Sequence, residues 1–264
     1  MAHPAVTAFV RALDQFERSK TRTEIFRLFC EMAYCALAKR ASPFPDQRDR
    51  LEAVYMQCVS SFPNKDDVRR MPEMMALAIQ AISGGGIDFF GQVAAEIGAL
   101  DAGLGQFFTP YEISRLIAEM SLGDAAGQIE AQGFITVSEP AAGAGGMVLA
   151  LADALEAQGF DPALHIWIEA VELSRSTFHM AYVQINARGI AGRVVNGNSI
   201  SLETYDHAFT AAAAVFYSAH GDPFARQKEA ARQAAKAEED ARKQRRELLR
   251  SAAPAQARAV WQCD

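Results

Sequence analysis

Glu139, Glu172 and Asn198 are the polar residues whose surroundings point most directly to chemistry in this sequence. Each lies at the end of a short apolar run rich in β-formers, in "FITVSEP", "HIWIEAVE" and "AGRVVNGNS". The first run leads into "AAGAGGM", which puts Gly143, Gly145 and Gly146 in the turn before a helix. Glycines there let a ligand approach the backbone and let the helix N-terminus point at it. An acid at the tip of the second strand is where such folds hold a ribose by its two hydroxyls. An amide after the third strand suits an adenine edge. The three positions together form a nucleoside-binding arrangement. The plainer alternative is strand-end polar residues that cap helices, with glycines that serve tight turns.

Glu139 narrows the ligand. A carboxylate at the end of the first strand repels a pyrophosphate and attracts an ammonium group. S-adenosylmethionine has no phosphate and carries an ammonium on its methionine end. The acid-first turn therefore favours it over a dinucleotide.

"GQFFTPYEIS", residues 105 to 114, is the second stretch of interest. Thr109 is placed to be an N-cap, Pro110 suits the first helical position, and Glu112 sits where a capping box needs it. Phe107 and Phe108 directly before the cap are costly for an ordinary loop. They suggest the lip of a binding site.

These residues need elements to hold them. The first hundred residues read as helices. "TRTEIFRLFCEMAYCALAKR" opens on a capping box, Thr21 and Glu24, and carries a stripe of Ile25, Leu28, Phe29, Met32 and Ala36. A second pattern covers 48–60, and Pro72 is expected to start a third helix that "SGGG" stops. Beyond residue 104, a helix over 110–120 precedes the first strand. Helices over 146–158 and 174–188 then alternate with strands. That order predicts a parallel, right-handed βαβ arrangement. The segment "FTAAAAVFYSAH" suits helix and strand equally.

Composition bounds the rest. The chain has 264 residues, half of them apolar and 22% charged, which is an ordinary globular balance. No apolar run approaches the roughly 20 residues needed to span a bilayer. Arg11 and Asp14 interrupt the N-terminus, so it does not read as a signal peptide, and a cytoplasmic location with no membrane partner is expected. Cys30, Cys35, Cys58 and Cys263 make no metal-ligand spacing; Cys30 and Cys35 read as small core residues. The net charge is −6, yet residues 225–250 carry nine Lys/Arg against five Asp/Glu. The remainder therefore holds −10, which does not advertise a DNA-binding face. The basic stretch reads as a solvated helix, or as an arm that meets phosphates or a partner.

"GQFFTP", "SEPAAGAGGM", "AVELS" and "GNSIS", in that order, resemble the N6-adenine DNA methylase family. The likeness is to its gamma-type branch, which includes the modification subunits of type I restriction systems. It covers roughly residues 85 to 202. It implies a truncated Rossmann-like, S-adenosylmethionine-dependent methyltransferase sheet preceded by a helical domain. It also implies methyl transfer to adenine N6 in DNA, with DNA as partner; the short segment after Asn198 motivates the expectation of a partner subunit or second copy to complete recognition. By this resemblance Phe107, Thr109 and Pro110 fold over the methionine end of the cofactor. Glu139, Ala141, Gly143 and Gly145 line its amino-acid part, Glu172 takes the ribose, Leu173 packs near the adenine, and Asn198 stands where the family has Asp.

One part of the pattern is altered. The family places Asn, Asp or Ser before Pro-Pro and an aromatic residue, to polarise the target amine and stack on the flipped base. Here the corresponding region offers "GDPF", with Asp222, Pro223 and Phe224, one proline short. Two functional readings follow. One is an adenine methyltransferase that uses Asp222, Pro223 and Phe224. The other is an inactive cofactor-binding regulator, decoy or partner-dependent subunit in restriction–modification biology. A third, non-catalytic alternative is a structural or interaction module whose pocket is vestigial, against which the intact pocket residues speak. The expected organisation is a helical domain over 1–103, a cofactor-binding domain over 104–224 and a charged helix and tail over 225–264.

Overall fold

The computed structural model describes residues 3–99 and 108–252. The first five helices are α1 (Pro4–Leu13), α2 (Arg22–Ala41), α3 (Pro45–Ser60), α4 (Lys65–Ser83) and α5 (Phe89–Glu96). The capping box that opens α2 is formed: the Glu24 N–H donates to Thr21 Oγ1 at 3.2 Å, and the Thr21 N–H donates to the Glu24 carboxylate at 2.7 Å. The helix buries more than one stripe, because Phe26, Cys30, Ala33, Tyr34 and Cys35 are covered as well, while Ala36 is exposed. Pro72 does not start a helix. It lies inside α4, which begins earlier because the Asn64 side chain accepts the Asp66 N–H and two acids complement the first turn.

Next come α6 (Tyr111–Leu122), α7 (Ala125–Gln132), β1 (Ile135–Glu139), α8 (Gly146–Ala157) and α9 (Pro162–His165). The chain continues through β2 (Ile166–Glu172), α10 (Arg175–Ala187), β3 (Gly192–Asn198) and β4 (Glu203–Phe209). The start of α6 lies one residue later than expected. Pro110, not Thr109, is the N-cap; no side-chain cap forms there, and the Pro110 carbonyl accepts the Ile113 and Ser114 N–H groups.

The sheet runs β1-β2-β3-β4, with β1, β2 and β3 parallel and β4 antiparallel to β3. Thr210 ends β4. Its N–H donates to the Gly192 carbonyl at 3.0 Å, and its hydroxyl accepts the Gly192 N–H at 3.1 Å. The alanine run beyond it becomes α11 (Ala211–His220), as its helix propensity favours. The ambiguous segment is therefore the end of a strand followed by a helix.

A continuous hydrophobic core extends from Val6 in α1 to Ala208 in β4, so the N-terminal helices and the sheet bury one another. Polar ties reinforce this. Tyr34 on α2 donates to Asp206 on β4 at 3.0 Å, Arg50 on α3 pairs with the same carboxylate at 2.7 Å, and Arg175 on α10 reaches Glu31 on α2 at 2.8 Å. The chain divides into two compact units, Met1–His220 and Gly221–Asp264. The second holds α12 (Ala225–Ala252), whose side chains are solvent-exposed from Ala225 to Leu248. It is braced by pairs one turn apart, such as Lys243 with Glu239 at 2.8 Å. Among the described residues no helix is long and apolar enough to cross a membrane.

The α2–α10 interface predicts a pH dependence of stability. His179 is buried and stacks on Tyr34, with centroids 4.8 Å apart and planes at 20°. Burial, aided by the nearby Arg175 charge, holds its pKa down to about 3. The unfolded chain takes up this proton near 6.5, so stability is lost as pH falls from there towards 3, by about 1.4 kcal/mol per unit. His179→Phe should therefore remove about 2 kcal/mol of the stability loss between pH 7 and pH 5. Urea unfolding midpoints at the two pH values measure it, and parallel declines in both proteins would contradict the assignment.

Candidate cofactor site

The turn after β1 is held from both sides. The Ala141 N–H donates to the Glu139 carboxylate at 3.1 Å, and the Ala142 N–H donates to the Val171 carbonyl of β2 at 2.9 Å. Gly143 then adopts φ +56°, a conformation that L side chains rarely take. Its N–H donates to Glu172 Oε2 at 2.9 Å. The other carboxylate oxygen, Oε1, accepts the Ser174 N–H at 2.8 Å. Glu172 thus locks the glycine turn to the end of β2. Burial raises its pKa, and the Ser174 and Gly143 N–H groups oppose that rise.

Asn196 holds the same corner from β3. Its side-chain amide donates to the Glu172 and Leu173 carbonyls, each at 2.9 Å. Leu173 itself is 60% exposed beside this corner. Asn198, two residues on, turns its side-chain oxygen to the Ile200 and Ser201 N–H groups and closes the turn into β4.

A cavity of about 200 Å³ opens against the glycine turn. Thr109, Glu139, Ala141 and Gly143 line it together, with Phe108 against Gly143 and Met147 at the start of α8. Gly145 packs behind the turn, facing Ala181 and Ile185 of α10. Pro110 is exposed at the head of α6, and Glu172, Leu173 and Asn198 stand at strand ends outside the cavity lining, Glu172 touching it only through its hydrogen bond to the Gly143 N–H. Phe107 lies outside the described residues. Asp222, Pro223 and Phe224 belong to the second unit. There the Asp222 carboxylate accepts the Phe224 N–H at 2.9 Å and pairs with Lys228 at 2.5 Å. These two contacts, Lys228 first, hold its pKa below the usual carboxylate value.

Two lining residues escape a reading by motif. Asp88 is buried at the head of α5, and its Oδ1 accepts the Gly91 N–H at 2.9 Å and the Gln184 amide at 2.7 Å. Gln184, on α10, also donates to the Ala144 carbonyl at 2.8 Å and accepts the Phe90 N–H at 3.0 Å. A side chain at position 146 would lie 2.9 Å from Asp88 Oδ2, so glycine there admits the carboxylate. The signal was the N-cap spacing in "IDFFG", which also fits a plain helix start. Ser114 on α6 gave no signal at all.

Among the described lining residues the polar side chains are two carboxylates, Asp88 and Glu139, and two hydroxyls, Thr109 and Ser114, with no Lys or Arg. Such a wall suits a cationic or hydrogen-bond-donating ligand and opposes a phosphate. A family profile described as N-6 DNA Methylase matches residues 90–247, more than half of the chain. The chain belongs to that family. Among solved structures it is similar to a Listeria monocytogenes protein assigned to the class I S-adenosylmethionine-dependent methyltransferases. That likeness is at 16% identity with a TM-score of 0.37, over 75% of this chain and 55% of the other. The chain thus spans just over half the length of that structure. No curated protein matches it.

Proposed function

We propose that this chain binds S-adenosylmethionine in the cavity at the glycine turn and serves methylation of adenine N6 in DNA. The observation that carries the reading is the acid-and-hydroxyl lining without a basic residue, directly beside the Gly143 turn that Glu172 holds. Glu139 attracts the methionine ammonium, and Glu172 offers carboxylate oxygens to the ribose hydroxyls. Leu173, exposed at the β2 end, gives the adenine an apolar face, Thr109 lines the cavity, and Asn198 at the β3 end and Pro110 beside Thr109 are assigned to the same ligand. When bound, the cofactor supplies an electrophilic methyl group. The protein must present an amine nitrogen to it and accept the proton that nitrogen sheds.

In this reading Asp222 and its neighbours Pro223 and Phe224 supply that function, or a partner chain does. A second reading, cofactor binding without transfer, is favoured by one observation: the Asp222 charge is already met by Lys228, and the same carboxylate caps the Phe224 N–H. A regulator, a decoy or a subunit awaiting its partner would each fit it. The test is transfer of a radiolabelled methyl group to mixed-sequence duplex DNA, followed by digestion to nucleosides. The proposal expects label in N6-methyl-2′-deoxyadenosine, lost in Asp222→Ala while cofactor binding persists. Label retained in Asp222→Ala would remove the role for this segment. Cofactor binding without label would leave the second reading.

A further inference from the structure

Ser114 is 1% exposed and lines the cavity, yet its Oγ has no hydrogen-bond partner among the described residues. A buried hydroxyl left unpaired destabilises the fold, because its lost hydration is not replaced. Serine within a helix commonly escapes that cost by bonding back to the carbonyl four residues earlier. Here the Pro110 carbonyl accepts the Ile113 and Ser114 backbone N–H groups, and the side chain makes no such bond. The hydroxyl is thus desolvated beside an open space with its own lone pairs unused.

Asp88 lies in the same lining, and its position is fixed independently. Gln184 and the Gly91 N–H hold its Oδ1, while Oδ2 is the atom nearest to where a side chain at 146 would sit. The N-terminus of α8 is therefore faced by the protein's own carboxylate. Burial raises the Asp88 pKa, against the Gln184 and Gly91 hydrogen bonds, and a cation beside it would favour its ionised form; Glu139 adds a second carboxyl group to the same lining. Each carboxylate keeps acceptor capacity beyond the N–H groups it already holds, and the Ser114 hydroxyl is unpaired. A primary ammonium carries the opposite charge and three N–H donors, the complement of such a lining.

We infer that Ser114 and Asp88 form the inner wall of the cofactor's amino-acid subsite and accept hydrogen bonds from its ammonium group. This rests on the reading that the cavity takes S-adenosylmethionine. It assigns ligand-binding roles to two residues outside the glycine turn, one on α6 and one at the head of α5. Together with Glu139 they make binding depend on the amino-acid end and not on the nucleoside alone.

The probes are S-adenosylhomocysteine and 5′-methylthioadenosine, thioethers that share the adenosine and differ in the amino-acid end. Calorimetric titrations of the full chain and of Ser114→Ala read both. The variant should bind S-adenosylhomocysteine about tenfold more weakly and methylthioadenosine unchanged. Its ligand-free melting temperature should be equal or higher, because an unpaired buried hydroxyl has been removed. Asp88→Asn, which keeps the shape of the side chain, should show the same selective loss, larger in size. Unchanged affinity for S-adenosylhomocysteine in Ser114→Ala, or equal loss for both probes, would overturn the assignment while leaving the cofactor reading intact. Failure of the unaltered protein to bind either probe would sink both.

Discussion

Glu172→Ala should weaken S-adenosylmethionine binding by about a hundredfold or more, a loss near 2.7 kcal/mol. Two separate contributions combine. The carboxylate is the acceptor for the ribose hydroxyls in the proposed complex, and charge-assisted hydrogen bonds are worth about 1.5–3 kcal/mol each. The same carboxylate also accepts the Gly143 and Ser174 N–H groups, so its removal leaves two backbone donors unpaired and loosens the turn that shapes the cavity. Glu172→Gln should fare little better, because the amide cannot offer an acceptor to both backbone donors. The pH dependence has a definite sign. Burial raises the Glu172 pKa above the 4.5 of an ordinary glutamate, and binding needs the ionised form. Affinity should therefore be full above that raised value and fall as pH drops through it, earlier than an ordinary glutamate would dictate. The stability contribution runs the other way: it is present below 4.5 and is lost as pH rises through the folded value. Calorimetry across pH 4.5 to 7.5 reads the affinity. Wild-type affinity in Glu172→Ala would remove Glu172 from the site.

Arg188→Ala should cost about 3–5 kcal/mol of folding stability, the usual penalty for breaking a buried pair from one side. Arg188 follows α10 and has a 6% exposed side chain; it donates to Asp153 at 2.8 and 3.0 Å and also pairs with Glu156, both on α8. Asp153 in turn accepts the Gly86 N–H at 2.5 Å and the Tyr111 hydroxyl. One carboxylate thus joins α8, α10, the glycine turn after α4 and the first residue of α6. Asp153 is 16% exposed, so an uncompensated charge there is expensive, whereas Glu156 is open enough to be rehydrated. Because Tyr111 directly follows Thr109 and Pro110, the loss should also lower cofactor affinity. Replacing the pair together, as Arg188→Met with Asp153→Leu, should recover most of the stability but not the Tyr111 contact. Denaturant melts of the three proteins measure this. A loss under about 1 kcal/mol in Arg188→Ala would show that the network is solvated rather than buried.

Much of the site was legible from residue types alone. The glycines after Glu139 stand at a turn that needs a positive φ at Gly143, and the acid at the end of β2 reaches back to that turn. Periodicity exposed the three parallel strands because each is a short β-branched run flanked by helical patterns. Asp88, Ser114 and Gln184 were not legible. They come from α5, α6 and α10, and only the folded chain brings them to one wall or behind it. Their local patterns, an N-cap and two helix positions, have ordinary explanations. The fourth strand was missed for a related reason. "ETYDHAF" carries charge and little apolar content, and it becomes a strand through pairing with β3 and through the Tyr34 and Arg50 contacts to Asp206. Pro72 and Pro110 mark the limits of local rules. In each case neighbouring residues fix the helix boundary, and the proline is accommodated where it falls.

The most direct test of the central claim is calorimetric titration of the full chain with S-adenosylmethionine and, in parallel, with NAD. An acid-lined cavity beside the Glu172-held turn should give one saturable site for S-adenosylmethionine and no heat with NAD. No binding of S-adenosylmethionine, or tighter binding of NAD, would contradict it and reduce the glycine turn to a turn.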